Sequence, residues 1–247
     1  ASVRDRLVHH AIYRSLFLYF EKVFIADSYS CRINKGPYKA IDRFKYFFYK
    51  VSKNNHKTCW ILKCDIKKFF ASIDHEILIS ILNKKILDKN IMWLLKKVIS
   101  SFHSTRIGIG LPLGNLTSQL FANIYMNELD QFIKYDLKLK YYIRYADDFV
   151  ILSEDKKRLE DKLLKIKEFL KNKLKLELHP NKVSIKTLAS GIDFLGWVNF
   201  VDHRVLRTAT KKRMIRRLDT NFSKSAINSY LGLLGHGNGE KIKGKYF

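Results

Sequence analysis

Two adjacent acids, Asp147 and Asp148, stand at the centre of the segment YYIRYADDFVIL, residues 141–152. Apolar and aromatic residues run on both sides of them, a pattern that predicts a strand, a tight turn and a second strand. Carboxylates side by side in such a setting repel each other and lose hydration, which is costly unless a divalent cation neutralises them. The alternative is an ordinary acidic hairpin turn, because Asp is a common turn residue.

A third acid, Asp65, decides between these interpretations. It ends the apolar segment CWILKCD (59–65), which predicts a short buried strand. Adjacent strands lie ~4.8 Å apart, so Asp65 and Asp147 can come close together in one sheet. Carboxylates, waters and substrate phosphates are the ligands that Mg²⁺ prefers, and a pair of such ions can stabilise both oxygens of a phosphoryl transfer. We therefore expect a metal site.

The charge of the chain indicates where the phosphates come from. The formal net charge is +24, from 47 basic and 23 acidic side chains. A general cationic bias in composition is the alternative, but an excess of this size favours a polyanionic partner, so the phosphates would belong to a nucleic acid and a nucleotide.

Cysteine and histidine usage argues against other kinds of site. The three cysteines and eight histidines lack metal-ligand spacing, so we expect reduced thiols and no structural zinc. No apolar run approaches ~18 residues, so we expect no membrane partner, and reduced thiols are consistent with a cytoplasmic protein.

The apolar periodicity predicts a helical lobe, then the order β-α-β-β-α-β, then a helical tail. This order is typical of an α+β fold, in which a compact antiparallel sheet has helices on one face. Predicted helices cover 3–25, 38–51, two segments within 75–101, 116–137, 155–174 and 207–234, and predicted strands cover 59–65, the acidic hairpin, 182–188 and a hairpin at 194–200.

Five motifs resemble those of reverse transcriptases of the prokaryotic retroelement type. They are Asp-x-x-x-Phe-Phe at 65–70, GLPLGNLTSQ at 110–119, YADD at 145–148, HPNKV at 179–183 and FLGW at 194–197. The resemblance implies a right-hand polymerase with a ferredoxin-like palm. Its parts would be fingers (1–58, incomplete at the amino terminus), a palm (59–200, with a helical fingers/palm insert at 75–113) and a short basic helical thumb (201–247).

The resemblance also implies catalytic roles. Asp65 and Asp147 would be the principal metal ligands, the main-chain carbonyl of Ile66 would complete the first site, and Asp148 would have an auxiliary metal role. The implied cofactor is a pair of Mg²⁺ ions, for which Mn²⁺ could substitute. Lys182 would be the general acid for pyrophosphate departure, with an ordinary exposed lysine as the alternative.

Substrate-binding roles follow from the same motifs. Arg32 would grip the triphosphate of the incoming nucleotide, a task suited to a guanidinium fork. Phe70 would lie under the sugar and exclude a 2′-OH, unless it is simply core like Phe69. Leu113, Gly114 and Gln119 would line the nucleotide site. Phe194, Leu195, Gly196 and Trp197 would form the primer grip, and Lys211, Lys212, Arg213, Arg216 and Arg217 would bind the template–primer backbone.

The wording of GLPLGNLTSQ is similar to that of diversity-generating retroelements. Leu113 stands where the commoner wording has Gln, and Gln119 follows Ser118 where that wording has Pro. Leu113 cannot make the hydrogen bond that a Gln makes near the incoming sugar, which would weaken the geometric test of a correct base pair.

The resemblance therefore implies an RNA-directed DNA polymerase that makes error-prone cDNA, with errors mostly opposite template adenines. Its partners would be a template RNA, a DNA primer, deoxynucleotides and a small basic accessory protein that forms an oligomer. The alternatives are a group II intron, retron-like or defence-associated reverse transcriptase, and a non-catalytic RNA-binding scaffold.

Overall fold

The computed structural model describes residues 2–220 and 223–247. The helices in these ranges are α1 (Val3–Glu21), α2 (Pro37–Val51), α3 (Phe69–Ser72), α4 (His75–Asn83), α5 (Lys89–Ser100), α6 (Leu116–Gln131), α7 (Lys156–Leu174), α8 (Thr208–Thr220), α9 (Lys224–Leu234) and α10 (Glu240–Tyr246). The strands are β1 (Trp60–Asp65), β2 (Tyr142–Tyr145), β3 (Asp148–Ser153), β4 (Ser184–Thr187), β5 (Ile192–Phe194), β6 (Trp197–Asn199) and β7 (Arg204–Leu206).

An antiparallel sheet in the order β2-β3-β1-β4 forms the centre of the molecule. Its central strand β1 pairs with β3 along its whole length, from Trp60 opposite Ser153 to Asp65 opposite Asp148. The acidic hairpin is β2–β3, with Tyr145 opposite Asp148. The predicted antiparallel sheet and hairpin are confirmed.

Helices and strands cover both faces of this sheet. Leu62 of β1 and Phe149 of β3 belong to the core cluster that contains α6 and α7, whereas Ile61 and Val150 belong to the cluster that contains α2 and the β5–β7 sheet. The arrangement with helices on one face therefore holds for α6 and α7, but α2 lies on the other face. Neighbouring residues of β1 are both apolar, so each face of the strand needs a cover.

Several local predictions differ in their bounds. The predicted helix 116–137 is α-helical to Gln131 and then continues as a π-helical turn from Phe132 to Asp136. The predicted helix 207–234 is two helices, α8 and α9, and its residues 221–222 lie outside the described residues. Strand β7 and helix α10 were not predicted. A strand of three residues is too short to show a period of two.

Side-chain caps mark where several helices begin. The carboxylates of Asp74, Asp88 and Asp155 accept hydrogen bonds from backbone N–H groups in the first turns of α4, α5 and α7. Asn115 occupies the predicted N-cap position of α6, but its side chain makes no capping hydrogen bond. Within residues 2–220 and 223–247, no helix combines the length and the apolar character needed to cross a membrane.

Candidate active site

Three acids meet at one end of the β2-β3-β1-β4 sheet. Asp65 is the last residue of β1 and lies directly opposite Asp148, the first residue of β3. Side chains at directly opposite positions share a face of the sheet, which here is the face covered by α2 and the β5–β7 sheet. Asp147 lies in the two-residue turn between β2 and β3, and its carbonyl accepts a hydrogen bond from the Ile66 N–H at 3.2 Å. The structure thus brings together the acids that the sequence singled out.

The surroundings of Asp147 and Asp148 oppose the ionisation of these two acids. The Asp148 side chain is 20% exposed, but its Oδ1 atom is buried and has no hydrogen-bond partner among the described residues. The pKa of Asp148 is raised to about 7, mainly by burial; Lys63 opposes the rise, and the carboxylates of Asp65 and Asp147 contribute to it. Burial also raises the pKa of Asp147, with a contribution from Asp65.

Two lysines supply positive charge to the acids. Lys63, on β1, has its Nζ atom 3.8 Å from Oδ2 of Asp148. Lys182 donates hydrogen bonds to both Asp65 oxygens at 3.0 Å, and its side chain is 51% exposed. The HPNK turn that carries Lys182 is joined to β1 by a hydrogen bond from the His179 N–H to the Asp65 carbonyl at 2.7 Å. The proposed general acid therefore lies against a predicted metal ligand, in an exposed pair that can open readily.

These residues fit a divalent cation that the protein holds together with its substrate. Within the described ranges, no three His, Cys, Asp or Glu side chains form a complete metal-binding group. Mg²⁺ usually takes only one or two protein carboxylates and completes its shell with waters and substrate phosphates. Asp65 and Asp147 can provide such a pair, and the buried Asp148 Oδ1 is an acceptor that still needs a positive partner. The individual ligand roles, including that of the Ile66 carbonyl, stay predictions.

The two aromatic residues after Asp65 have different surroundings. Phe69 is buried in the core, whereas Phe70 is only partly buried and packs edge-to-face on it, with ring centroids 5.3 Å apart. The Phe70 carbonyl accepts a hydrogen bond from the Leu111 N–H at 2.8 Å, which ties Phe70 to the GLPLG loop. Phe69 is therefore part of the core and Phe70 packs against that core, so the place of Phe70 under the sugar stays a prediction.

The GLPLG loop presents an apolar side chain to solvent. Leu113 is 78% exposed. The following residue, Gly114, has φ +96°, a left-handed conformation that favours glycine. Gln119 is half-buried in the first turns of α6, where its N–H donates to the Asn115 carbonyl. An exposed leucine beside this glycine turn can contact a substrate without rearrangement of the core.

Arg32 does not present a free guanidinium in this structure, and its contact with a triphosphate stays a prediction. Its side chain is 4% exposed, and Nε and Nη2 donate to the Glu21 carboxylate at 2.9 and 2.7 Å. Nη1 donates to the carbonyls of Ile25 and Ser28 at 2.7 and 2.8 Å. Glu21, the last residue of α1, thus occupies the guanidinium face that a triphosphate would need. With its bonds to Ile25 and Ser28, Arg32 holds the loop between α1 and α2 in place. A role in triphosphate binding requires the pair with Glu21 to open.

The aromatic residues of the predicted primer grip are buried. Phe194 and Trp197 are 0% and 1% exposed and belong to the core under the β5–β6 hairpin. Leu195 and Gly196 form its two-residue turn, with φ of +53° and +86°, and both are half-buried. The rings therefore support the hairpin from within, and the contact of this hairpin with a primer stays a prediction. Trp197 also packs so closely on Gly237 that a Cβ there would come within 2.1 Å of the ring.

The predicted thumb bases lie along α8. Its buried residues Met214 and Leu218 pack inward. The five predicted bases occupy other positions of the helix, where all except the half-buried Lys211 are exposed: Lys211, Lys212, Arg213, Arg216 and Arg217.

Sequence reasoning missed Arg144 and Lys63. Arg144 is fully buried directly before the YADD turn and pairs with Asp130 of α6, with 2.6 Å between Nη2 and Oδ2. A signal was available, because an arginine inside an apolar strand must have a partner. The sequence did not say which acid that partner is.

This combination defines a class of protein. An antiparallel sheet with acids at the adjoining ends of its central strands, beside a helix with a basic exposed face, is the palm of a nucleotidyl-transferring polymerase. A family profile described as "Reverse transcriptase (RNA-dependent DNA polymerase)" matches residues 2–199. The chain belongs to the reverse transcriptase family, and the resemblance seen in its motifs is confirmed at that level.

The chain is similar to two curated bacterial proteins, one of which is encoded by a group II intron. It is 25% identical over 265 residues to Protein YkfC of Escherichia coli K12, covering 92% of this chain and 67% of that protein. It is 27% identical over 280 residues to the group II intron-encoded protein LtrA of Lactococcus lactis subsp. cremoris, covering 85% of this chain and 44% of LtrA. The chain thus spans less than half of LtrA.

Solved structures agree on the fold. Apo telomerase from Candida tropicalis superposes with a TM-score of 0.62 at 13% identity, covering 83% of this chain and 42% of that one. Telomerase from Candida albicans in complex with a TWJ fragment of telomeric RNA gives a TM-score of 0.59 at 13% identity, covering 82% and 37%. At such low identity the likeness concerns the fold alone.

Proposed function

We propose that this chain is the polymerase of a retroelement and extends a DNA primer by copying an RNA template. The observation that carries the proposal is the pairing of Asp65 with Asp148 across β1 and β3, with Asp147 in the adjoining turn, inside a reverse transcriptase domain. A scaffold that only binds RNA would not need a largely buried carboxylate with an unpartnered oxygen beside two further acids, because the cost of this arrangement is offset only when a cation binds.

Asp65 and Asp147 hold the divalent cations in this proposal, with Asp148 and the Ile66 carbonyl in support. When bound there, Mg²⁺ or Mn²⁺ would supply positive charge next to the attacking 3′-oxygen and the departing pyrophosphate. Lys182 leaves Asp65 when the substrate binds and donates its proton to the pyrophosphate, a movement that its exposure permits. The partly buried Phe70 lies under the deoxyribose and excludes a 2′-OH.

Nucleic acid binds the chain through charge. The exposed bases of α8, from Lys212 to Arg217, contact template–primer phosphates, so affinity falls steeply with salt. An RNA–DNA hybrid is held by its shape and backbone more than by its sequence. The telomerase structure that contains an RNA supports RNA binding on this fold only as an analogy.

Leu113 and Gln119 support a diversity-generating type of retroelement. The exposed Leu113 offers apolar contact where a glutamine would offer a hydrogen bond, so a mispaired nucleotide loses less relative to a correct one. In this proposal the cDNA carries errors opposite template adenines, and a small basic accessory protein oligomer is a further partner.

A second candidate is a group II intron-type enzyme that copies accurately. It is favoured by the similarity to LtrA, which covers 85% of this chain. The two candidates share the active site and differ in fidelity, so product sequences separate them.

The test is extension of one DNA primer on matched RNA and DNA templates, followed by sequencing of the products. We expect Mg²⁺-dependent synthesis on RNA, with errors concentrated at template adenines, and fewer errors after Leu113→Gln. Accurate synthesis that Leu113→Gln leaves unchanged would support the intron-type candidate. Absence of synthesis on every template, with the fold intact, would contradict the polymerase proposal.

A further inference from the structure

A buried polar cluster lies directly behind the YADD turn. Arg144, in β2, and Asp130, in α6, are both 0% exposed. The guanidinium and carboxylate meet as a two-pronged pair, with Nε to Oδ1 at 2.8 Å and Nη2 to Oδ2 at 2.6 Å. The Tyr142 hydroxyl donates to the same Oδ1 at 2.7 Å. This geometry gives both charges a directional partner inside the protein.

Every N–H of the Arg144 guanidinium is used. A guanidinium has five N–H donors. Besides the two bonds to Asp130, Nη2 donates to the Ser28 hydroxyl at 3.1 Å, and Nη1 donates to the Asn123 side-chain oxygen at 3.2 Å and to the Ala146 carbonyl at 3.1 Å. One residue thus connects α6, the fingers and the YADD turn.

The contact with Ala146 bears directly on the catalytic turn. Ala146 precedes Asp147 and has φ +55°, a left-handed conformation that is strained for a residue with a Cβ atom. The carbonyl of Ala146 belongs to the peptide that joins it to Asp147. A donor that fixes this carbonyl therefore restricts the direction in which the Asp147 side chain leaves the turn.

The contacts with the fingers concern the backbone as well. The Arg144 N–H donates to the Asp27 carbonyl at 3.0 Å, and the Tyr29 N–H donates to the Arg144 carbonyl at 2.9 Å. Asn123, which accepts from Arg144, donates to the Ser30 carbonyl at 2.9 Å. The fingers segment 27–30 is thereby attached to β2 directly before the loop that carries Arg32.

We propose that Arg144 is a positioning residue for polymerisation, which fixes the Asp147 turn and locks the fingers segment 27–30 to it. It does not touch substrate. The activity part of this inference rests on the proposed polymerase function. A buried ion pair is weak support for a role in stability, since apolar replacements of both partners are often neutral or stabilising. The same replacement here would leave the Ala146 carbonyl and the Asn123 oxygen without their donor.

The main test replaces both charges with apolar side chains. In the double variant Arg144→Met, Asp130→Leu, we expect a folded protein with a melting temperature below that of the parent and above that of Asp130→Ala, because no unpaired charge is buried but the Ala146 carbonyl and the Asn123 oxygen lose their donor. We also expect kcat for primer extension to fall about 100-fold, as for a small misplacement of a reacting group. Mn²⁺ affinity, measured by electron paramagnetic resonance with Mn²⁺ alone as the probe, should fall about tenfold. The control Lys175→Met breaks the 2.7 Å ion pair with Asp74 in another part of the chain. It should change neither kcat nor Mn²⁺ affinity.

A milder variant covers the case in which the double variant fails to fold. Ser28→Ala keeps the pair with Asp130 and the Ala146 contact and removes one link to the fingers. We expect KM for the deoxynucleotide to rise while kcat and Mn²⁺ affinity stay near the parent values. Arg144→Lys keeps the charge but not the fork, and it should not restore kcat.

A folded double variant with parental kcat and Mn²⁺ affinity would overturn the inference. If the double variant does not fold, a Ser28→Ala variant with parental KM would overturn it. The Mn²⁺ measurement needs neither template nor nucleotide. A parent protein that extends no primer would therefore contradict the proposed function, while the Mn²⁺ affinities would still decide whether Arg144 positions the turn.

Discussion

Two acids at the YADD hairpin, the fully buried Asp130 behind it and the largely buried Asp148 within it, differ in how many partners their oxygens have. Behind the turn, Asp130 accepts hydrogen bonds from Arg144 and Tyr142 at 2.6–2.8 Å. In front of it, Asp148 has one oxygen without a partner in the described residues and a lysine only at 3.8 Å. A buried carboxylate with complete partners is framework, whereas one without them is a site that a cation can complete. The comparison predicts opposite effects for similar substitutions at the two positions.

The largest expected effect on stability is at Asp130. Asp130→Ala leaves the Arg144 guanidinium buried without its counter-charge, and breaking a buried pair in this way costs about 3–5 kcal/mol of unfolding free energy. Chemical denaturation monitored by circular dichroism measures it, with the exposed Asp161→Ala on α7 as the matched control. A loss at Asp130 no larger than that of the control would remove the distinction between the two acids.

The substitution Asp148→Asn should act in the opposite direction. It removes the repulsion from Asp65 and Asp147 and supplies donors to a buried site, so we expect the metal-free protein to become more stable by about 1–2 kcal/mol at neutral pH. Primer extension should weaken in the same variant. A lower stability of metal-free Asp148→Asn than of the metal-free parent would contradict the claim that the unpartnered Asp148 Oδ1 destabilises the protein without its cation.

The same comparison predicts a pH dependence for the metal-free protein. The pKa of Asp148 is raised from 3.8 to about 7, so between these values the folded state holds a proton that the unfolded state has released. The contribution of Asp148 to stability therefore falls as pH rises from about 4 to about 7, by at most about 1.4 kcal/mol per pH unit. The difference in unfolding free energy between the parent and Asp148→Asn, measured at several pH values, isolates this contribution of Asp148. A difference that does not vary with pH would show that Asp148 ionises normally.

The local parts of this site could be predicted from the sequence. Short apolar runs that end at acidic residues are local signals, so β1, the β2–β3 hairpin and the three acids were predicted close to their observed positions. The pairs Arg144–Asp130 and Arg32–Glu21 join different elements, and tertiary packing selects their partners. The burial of Phe194 and Trp197 likewise depends on the packing of the β5–β7 sheet against the palm, which no local pattern indicates.

The proposed polymerase function depends most on Asp147, because this acid is the proposed principal cation ligand for polymerisation. Extension of a DNA primer on an RNA template in Mg²⁺ should be compared for the parent, Asp147→Ala and the control Asp161→Ala. We predict that Asp147→Ala loses about 10³-fold or more of the extension rate and keeps template–primer affinity and the fold, while the control matches the parent. Extension by Asp147→Ala at the rate of the control would contradict the role of Asp147 as a cation ligand for polymerisation.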